Sequence, residues 1–395
     1  MGNASLSKTI DMGNPIVANA QQRVRLFASP QSWIEGAAIR QLEQLADRNG
    51  IKVVAGMPDL HPGMYGPVGC AALSEDVVHP DVIGTDIGCG MQFWALNLPE
   101  HRLKLDKAAD RLLALEGPWN GDPQTLLEEH GIAESAFADS LGTIGGGNHF
   151  CEVQAIAEIL DEAAAKRAGI VKGGLFLLVH SGSRGLGAQT LASHHPGNAE
   201  GLSLDRGGLG YLADHDIALR FAALNRRVIA TRAIEALRTE GIEVVDAPHN
   251  FAEREGNTIL HRKGAASSNH PLVPVPGSRG AATYLVEPLK DKAEAALFSL
   301  AHGAGRKHDR GSMEKRVRTE AGSLEKLTRN PFGGRVICMD RKLLVEEAPE
   351  AYKDIRRVVA DLEAHELARI VAVMRPLITF KTAGRASREN GRKRT

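Results

Sequence analysis

Eight glycine-bearing stretches break up the apolar segments of this chain, and each sets histidine, aspartate, cysteine, arginine or another reactive polar side chain beside the glycine. They read GMPDLHPGMYGPVG (56–69), IGTDIGCGM (83–91), GTIGGGNHFCE (142–152), HSGSRGLG (180–187), HNFAEREG (249–256), LHRKGA (260–265), PGSRGAATY (276–284) and AHGAGRKHDRG (301–311). Glycine permits positive φ and close backbone approach to a ligand, so each stretch reads as a loop that builds a site. A chain punctuated this often is neither a coiled coil nor a collagen, and it lacks the apolar run of about 18 residues that a membrane span requires.

The composition narrows the function classes. Hydrophobic residues make up 43% and charged residues 24% of the 395 positions, an ordinary globular balance for one large domain or two moderate ones. Lys plus Arg (48) equals Asp plus Glu (48), so a nucleic acid would have to be met by a local basic patch. Cys70, Cys89, Cys151 and Cys338 stand far apart with no CxxC, which fits a reduced cytoplasmic protein and not a disulfide framework or zinc ribbon. The first residues lack the basic and apolar regions of a secretion signal, and Leu6 stands where a myristoylation signal needs Ser or Thr.

Residues 1–30 read as a loose arm, 31–381 as one catalytic unit, and 382–395, with five Lys or Arg against one Glu, as a basic tail. The run IEGAAIRQLEQLADRNG after Trp33 predicts a helix stopped by Gly50, followed by a strand at 51–54 and a turn-rich stretch from Gly56 to Gly69. Further strands are expected at 92–96, 175–179, 258–262, 283–286 and 335–339, and helices at 152–167, 212–240, 290–300 and 351–375. Strands and helices do not alternate regularly, so the fold class is α+β.

The chemistry clusters in the loops. Asp86 and Cys89 can point at one cation from a single glycine-flanked loop, although a buried cysteine beside a capping aspartate would leave the same pattern. His149 follows Gly-Gly-Gly-Asn, His180 ends the apolar segment 175–179, and His249 follows another predicted strand. Three histidines at strand ends is a usual geometry for a mononuclear or dinuclear metal site. Such a mixed donor set suits catalytic Mn, Zn, Fe or Co, and one thiolate can bridge two ions. There is no P-loop and no K-x-D-G, so a nucleotide would need another anchor. His302, with Arg306 and Arg310 four and eight residues on, has the make-up of a nucleophile that forms a phosphoramidate, and also that of a helix C-cap. Aromatics are 4% of the chain, so a backbone-tracking grip on nucleic acid is expected over extensive base stacking.

In this order the loops resemble the RtcB family of RNA-splicing ligases. The family motifs GMPDxHxG, DxxCG, GGGNHFxE, HSGSRG, HNxxxxE, HRKGA, PGSxG and HGAGR are matched by MPDLH (57–61), DIGCG (86–90), GGGNHFCE (145–152), HSGSRG (180–185), HNFAERE (249–255), HRKGA (261–265), PGSRG (276–280) and HGAGR (302–306). The resemblance implies a GTP-dependent, manganese-using ligase that joins an RNA 3′-phosphate or 2′,3′-cyclic phosphate to a 5′-hydroxyl through a histidine–GMP intermediate. It implies that Cys89 bridges two Mn ions, one completed by Asp86 and His149 and the other by His180 and His249, and that His302 is the guanylylated residue. It further implies that Asn148, Phe150, Glu152, Asn250, Ser278, Thr283, Gly303, Ala304, Gly305, Tyr352 and Lys381 hold the guanylate, and that Arg184 meets an RNA phosphate.

This sequence departs from the family pattern in several places. Most members carry Asn at the position of Gly88, Met at Arg279 and Ser at Thr283 and Asp309, and end near Lys381. Gly88 and the short N-terminus resemble a branch coupled to release factor H that repairs RNA, and an archease-like activator is another partner the resemblance implies. A competing reading is a metal-dependent phosphatase or cyclic phosphodiesterase, which needs the Asp/Cys/His cluster but not His302, Tyr352 or Lys381.

Overall fold

The computed structural model describes residues 23–133, 135–194, 200–320 and 324–382, with the side chains of 318–320, 324 and 325 left aside. All but Thr382 of the tail expected at 382–395, and most of the expected arm, lie outside these residues. The arm ends sooner than expected: Val24–Leu26 is a strand that pairs in parallel with Val54–Gly56.

The fold is α+β, built around an eight-stranded sheet. Its path runs Val273–Pro276, Thr283–Pro288, Ala368–Lys381, Phe150–Ile159, Gly174–Ser181, Gly90–Pro99 and Gly241–Pro248, and Arg335–Cys338 adds in parallel to the end of Ala368–Lys381. The segment Leu-Phe-Leu-Leu-Val at 175–179 is apolar at every position because both faces of its strand are buried. Leu175, Leu177 and Val179 pack with Ile229 and Ala233 of the helix Leu209–Leu237. Phe176 and Leu178 point the other way, onto Met91, Phe93 and Val245. Burying each such side chain contributes about 1.5–3 kcal/mol.

A second, five-stranded sheet orders Val24–Leu26, Ile51–His61, Val68–Glu75, Thr258–Lys263 and Asn250–Glu255. The stretch expected to be turns from Gly56 is therefore mostly strand, with an irregularity in pairing between Gly56 and His61. The helix Gly36–Ala46 packs on this sheet through Leu42 and Leu45.

Three expected helices are corrected. Residues 152–167 form the end of the strand Phe150–Ile159 and only a short helix, Glu162–Arg167; residues 290–300 form turns and the strand Ser299–Ala301; and 351–375 divides into the helix Ile355–Ala364 and the strand Ala368–Lys381. At 152–159 and 368–375 good helix formers such as Ala and Glu lie where neighbouring strands offer ladder partners, and tertiary pairing overrides local propensity.

The helix Leu209–Leu237 fixes the loops above the sheet. Asn225 donates to Ser181 Oγ (3.0 Å) and the Gly182 carbonyl (3.1 Å) and accepts from Gly142 N (2.8 Å). Arg226 grips Asp246 at 2.7 and 2.9 Å and donates to the carbonyls of Ser181 and Gly88. Gly88 has φ +71, and a Cβ there would lie 2.6 Å from Ala222 Cβ, so the helix leaves no space for a larger residue at this position. No helix among the described residues is long and apolar enough to cross a membrane.

Candidate active site

The loops converge on one cavity of about 740 Å³. At its floor, Cys89 Sγ lies 3.1 Å from His180 Nε2 and 3.3 Å from His149 Nε2, and Asp86 Oδ2 lies 2.8 Å from His149 Nε2. The donors form two groups of three, Cys89–His180–His249 and Asp86–Cys89–His149, within each of which all ligand atoms lie within 4.8 Å of one another. His180 Nδ1 donates to the Asn148 carbonyl at 3.2 Å, which leaves its Nε2 as a lone pair facing the thiol. His249 Nδ1 is buried without a hydrogen-bond partner among the described residues. Burial, the neighbouring imidazoles and His302 hold His180 and His249 far below the ordinary histidine range, so both rings are neutral. Burial, and then the Asp86 carboxylate, push the Cys89 thiol up. Neutral imidazoles, an orphaned nitrogen, a carboxylate and a shared sulfur fit two divalent cations, which would displace the thiol proton on binding.

His302 stands beside this floor, its ring centroid 4.7 Å from that of His249. Its Nδ1 donates to Asp59 Oδ2 at 2.6 Å, and its backbone N–H to the same oxygen at 3.3 Å. Asp59 is fully buried. Gly305, at φ +68, lets this loop approach: a Cβ there would lie 2.2 Å from the Asp59 carbonyl oxygen. Lys353 donates to the carbonyls of Pro58 (3.3 Å) and Leu60 (2.6 Å), on either side of Asp59. The Nδ1 bond fixes the tautomer and leaves Nε2 as the nucleophilic lone pair.

The opposite wall is cationic. Glu347 receives Arg306 at 3.0 Å, Arg310 at 3.3 Å and the Tyr352 hydroxyl. Burial alone would raise Glu347, but Lys381, Arg306, Tyr352 and Arg310 together bring it below the usual carboxylate range. Arg279, buried, donates to the carbonyls of Leu344 (2.9 Å) and Glu347 and so ties the segment bearing Glu347 to the loop that holds Ser278. Lys381 donates to the His149 carbonyl at 2.9 Å, and burial pulls its ammonium down to about 8.

Most of the residues expected at the site line this cavity: Asp86, Cys89, Asn148, Phe150, Glu152, His180, His249, Asn250, Ser278, His302, Gly303, Ala304, Gly305, Tyr352 and Lys381. Three lie behind it. His149 reaches the floor through Nε2, and Thr283 is buried where Gln154 donates to it at 2.8 Å while also donating to Glu152 at 2.8 Å. Arg184, at φ +58, places Nη1 3.3 Å from His149 Nδ1. It occupies the space that Gly145 leaves open, since a Cβ there would lie 1.7 Å from Nη1. Asn250 is committed to the protein, donating to the Asp86 carbonyl (3.2 Å) and accepting from Gly264 N (2.7 Å). Asp309 accepts from Ser312 N at 3.0 Å, so its carboxylate caps the helix Arg310–Glu320 as well as edging the cavity.

The sequence assigns no role to Asp59 or Glu347, and marks Lys263 only as part of the local positive charge of RKGA (262–265). Asp59 sits inside the MPDLH motif, which was its available signal; Lys263 sits inside HRKGA and donates to the Ile83 carbonyl at 2.6 Å while facing Asp86 and Cys89. Glu347 carries no local signal in EEAPEAY.

Comparison with known proteins covers the same span. A family model for the tRNA-splicing ligase RtcB matches residues 41–118 and 116–382. The RNA-splicing ligase RtcB2 of Escherichia coli is 41% identical over 370 residues, covering 91% of this chain and 95% of its own. The RNA-splicing ligase RtcB of Mycobacterium tuberculosis is 30% identical over 416 residues (81% and 95%), and the tRNA-splicing ligase RtcB of Aeropyrum pernix is 29% identical over 419 residues (81% and 86%). Every residue that lines the cavity falls within the matched span, and the chain belongs to the RtcB family of RNA ligases.

Proposed function

We propose that this RNA ligase is GTP- and manganese-dependent and joins an RNA 3′-phosphate or 2′,3′-cyclic phosphate to a 5′-hydroxyl through GMP carried on His302. The observation that carries this reading is the position of His302: its Nδ1 is held by Asp59, with the two donor triads on one side and the cationic wall on the other. Bound manganese, one ion on Asp86, Cys89 and His149 and one on Cys89, His180 and His249, would supply Lewis acidity toward phosphate oxygens.

His302 Nε2 attacks the α-phosphorus of GTP, a P–N bond forms, and pyrophosphate leaves. Asp59 stabilises the imidazolium that develops as Nε2 bonds. GMP then passes to the RNA 3′-phosphate, which frees His302. The 5′-hydroxyl attacks that activated phosphate and GMP departs, its bond replaced by the new phosphodiester. Arg306 and Arg310 neutralise phosphate charge. Glu152 and Lys381 face the guanine edge, Phe150, Asn148, Ser278 and Tyr352 seat the guanylate, and Arg184 steadies an RNA phosphate beside His149.

The test is a matched pair of nicks. With Mn and GTP, one bearing 3′-phosphate and 5′-hydroxyl is sealed, and one bearing 3′-hydroxyl and 5′-phosphate is not. Sealing of the second, or indifference to GTP, would overturn the reading. A hydrolase would release phosphate or open a cyclic end with no joined product, and would have no use for the His302–Asp59 pair. Gly88, where most of the family carries Asn, is the feature that supports a role in RNA repair. Release factor H and an archease-like activator are the partners to examine there.

A further inference from the structure

The strand Ile51–His61 leaves its register beside His302. Gly56 pairs with Cys70 and His61 with Val68, so the residues from Met57 to Leu60 stand opposite Gly69 alone and bulge from the ladder. Gly69, at φ +87, makes room for them: a Cβ there would lie 2.8 Å from Asp59 Oδ1 and 2.9 Å from Leu60 Cα. A bulge re-aims a side chain, and this one turns the Asp59 carboxylate toward His302. It also takes the buried carbonyls of Pro58 and Leu60 out of the pairing with Val68–Glu75, and a buried carbonyl needs a donor from somewhere.

Lys353 supplies it to both. Its ammonium donates to the Leu60 carbonyl at 2.6 Å and the Pro58 carbonyl at 3.3 Å, and its backbone N–H donates to the Gly305 carbonyl at 3.1 Å, three residues beyond His302. One residue thus joins the segment that carries Asp59 to the loop that carries His302. Asp59 Oδ1 is buried with no hydrogen bond among the described residues, so the carboxylate is aimed by the backbone on either side of it and by His302 itself.

We infer that Lys353 is a positioning residue for guanylylation of His302: its ammonium holds the backbone on both sides of Asp59 and so aims the carboxylate that fixes the His302 ring. The inference rests on the proposed ligase reading and adds to it the group that sets the Asp59–His302 pair. An apolar side chain of similar length would leave two buried carbonyls unpaired and loosen the bulge, and the Nε2 lone pair would lose its alignment with the α-phosphorus. Protonation of Lys353 matters too, because charge-assisted hydrogen bonds are about twice as strong as neutral ones. Burial pulls this ammonium down to about 8, against the Asp59 and Asp361 carboxylates. Of the other groups that face it, His61 is held down to about 4 by burial and is neutral across that range, and His302 is common to every variant compared.

The test follows formation of the GMP adduct on protein alone, with labelled GTP and Mn, in single turnovers at several GTP concentrations. Lys353→Met should slow adduct formation at saturating GTP about 10- to 100-fold, with the half-saturating GTP concentration changed by less than about 3-fold. Lys353→Arg, whose guanidinium keeps its charge and can reach two carbonyls, should restore most of the rate near neutral pH. As pH rises through about 8, the wild-type rate should decline relative to that of Lys353→Arg, a ratio that cancels the titration of nucleotide, metal and His302. A Lys353→Met rate equal to wild type, or a ratio that stays flat across that pH, overturns the inference; should Lys353→Met fail to fold, the ratio decides alone. Absence of adduct from the wild type rejects the ligase reading and the inference with it, an outcome distinct from an adduct that all three chains form equally well.

Discussion

At the floor of the cavity, His180 and His249 are buried as neutral rings around a protonated thiol, whereas at the wall Arg306, Arg310 and Tyr352 converge on the buried carboxylate of Glu347. The floor gathers donor atoms that a bound cation would complete. The wall carries part of its counter-charge within the chain, since Glu347 pairs with Arg306 and Arg310 before any phosphate arrives. Removing a floor ligand should thus cost function and spare the fold, and removing the centre of the wall should cost the fold as well.

The sharpest test of this difference is Cys89→Ala. The Cys89 sulfur belongs to both donor groups, so both proposed ions would lose affinity, and ligation should vanish while the melting temperature of the metal-free chain stays near wild type. Retained Mn uptake by calorimetry together with retained ligation would sink the bridging assignment. The counterpart on the wall is Glu347→Gln, which leaves the largely buried Arg306 short of its partner and should lower unfolding stability by about 1–3 kcal/mol in urea titrations. A loss near zero would show that the wall does not depend on its carboxylate.

Between the two walls lies Asp59→Asn. It keeps the shape but weakens control over the His302 tautomer, and should slow GMP-adduct formation about 100-fold with unchanged metal uptake. The smallest effect concerns Glu152, whose carboxyl is pushed up to about 7 by burial against the hydrogen bonds of Thr379 and Gln154. The native state then retains a proton that the unfolded chain releases near pH ~4.3, so stability declines as pH rises from there to about 7 and levels off above. Glu152→Gln should flatten that slope, changing the melting temperature near neutral pH by about 2–4 °C relative to acid.

Which parts could be read in the sequence follows from the same contrast. The floor ligands stand in glycine-rich loops at the ends of apolar segments, a local pattern, and the structure brings Asp86, Cys89, His149, His180 and His249 together. Glu347 lies in a run of acids and small residues indistinguishable from a solvated surface, and only the fold buries it beneath Arg306 and Arg279. The strand Phe150–Ile159 failed for a related reason: its Ala and Glu content suggests a helix, and its identity as a strand depends on Ala368–Lys381 and Gly174–Ser181 on either side. The helix Leu209–Leu237 was visible because it is long, although the Asn225 and Arg226 contacts that make it the clamp for three loops are tertiary.

The ladder registers at the floor have one more consequence. Phe150 and Met91 both pair with His180, and Gly90 pairs with both Ser181 and Pro248, so Cys89, His149 and His249 each sit one residue from a fixed rung. Slipping any of these strands by a single residue turns its side chains to the other face and scatters the donors. A cation that needs three of them binds the native alignment and not its slipped neighbours, contributing about 2.7 kcal/mol to that alignment at a hundredfold excess over its dissociation constant. A bound ion would thereby favour the native alignment of the central strands over a slipped one.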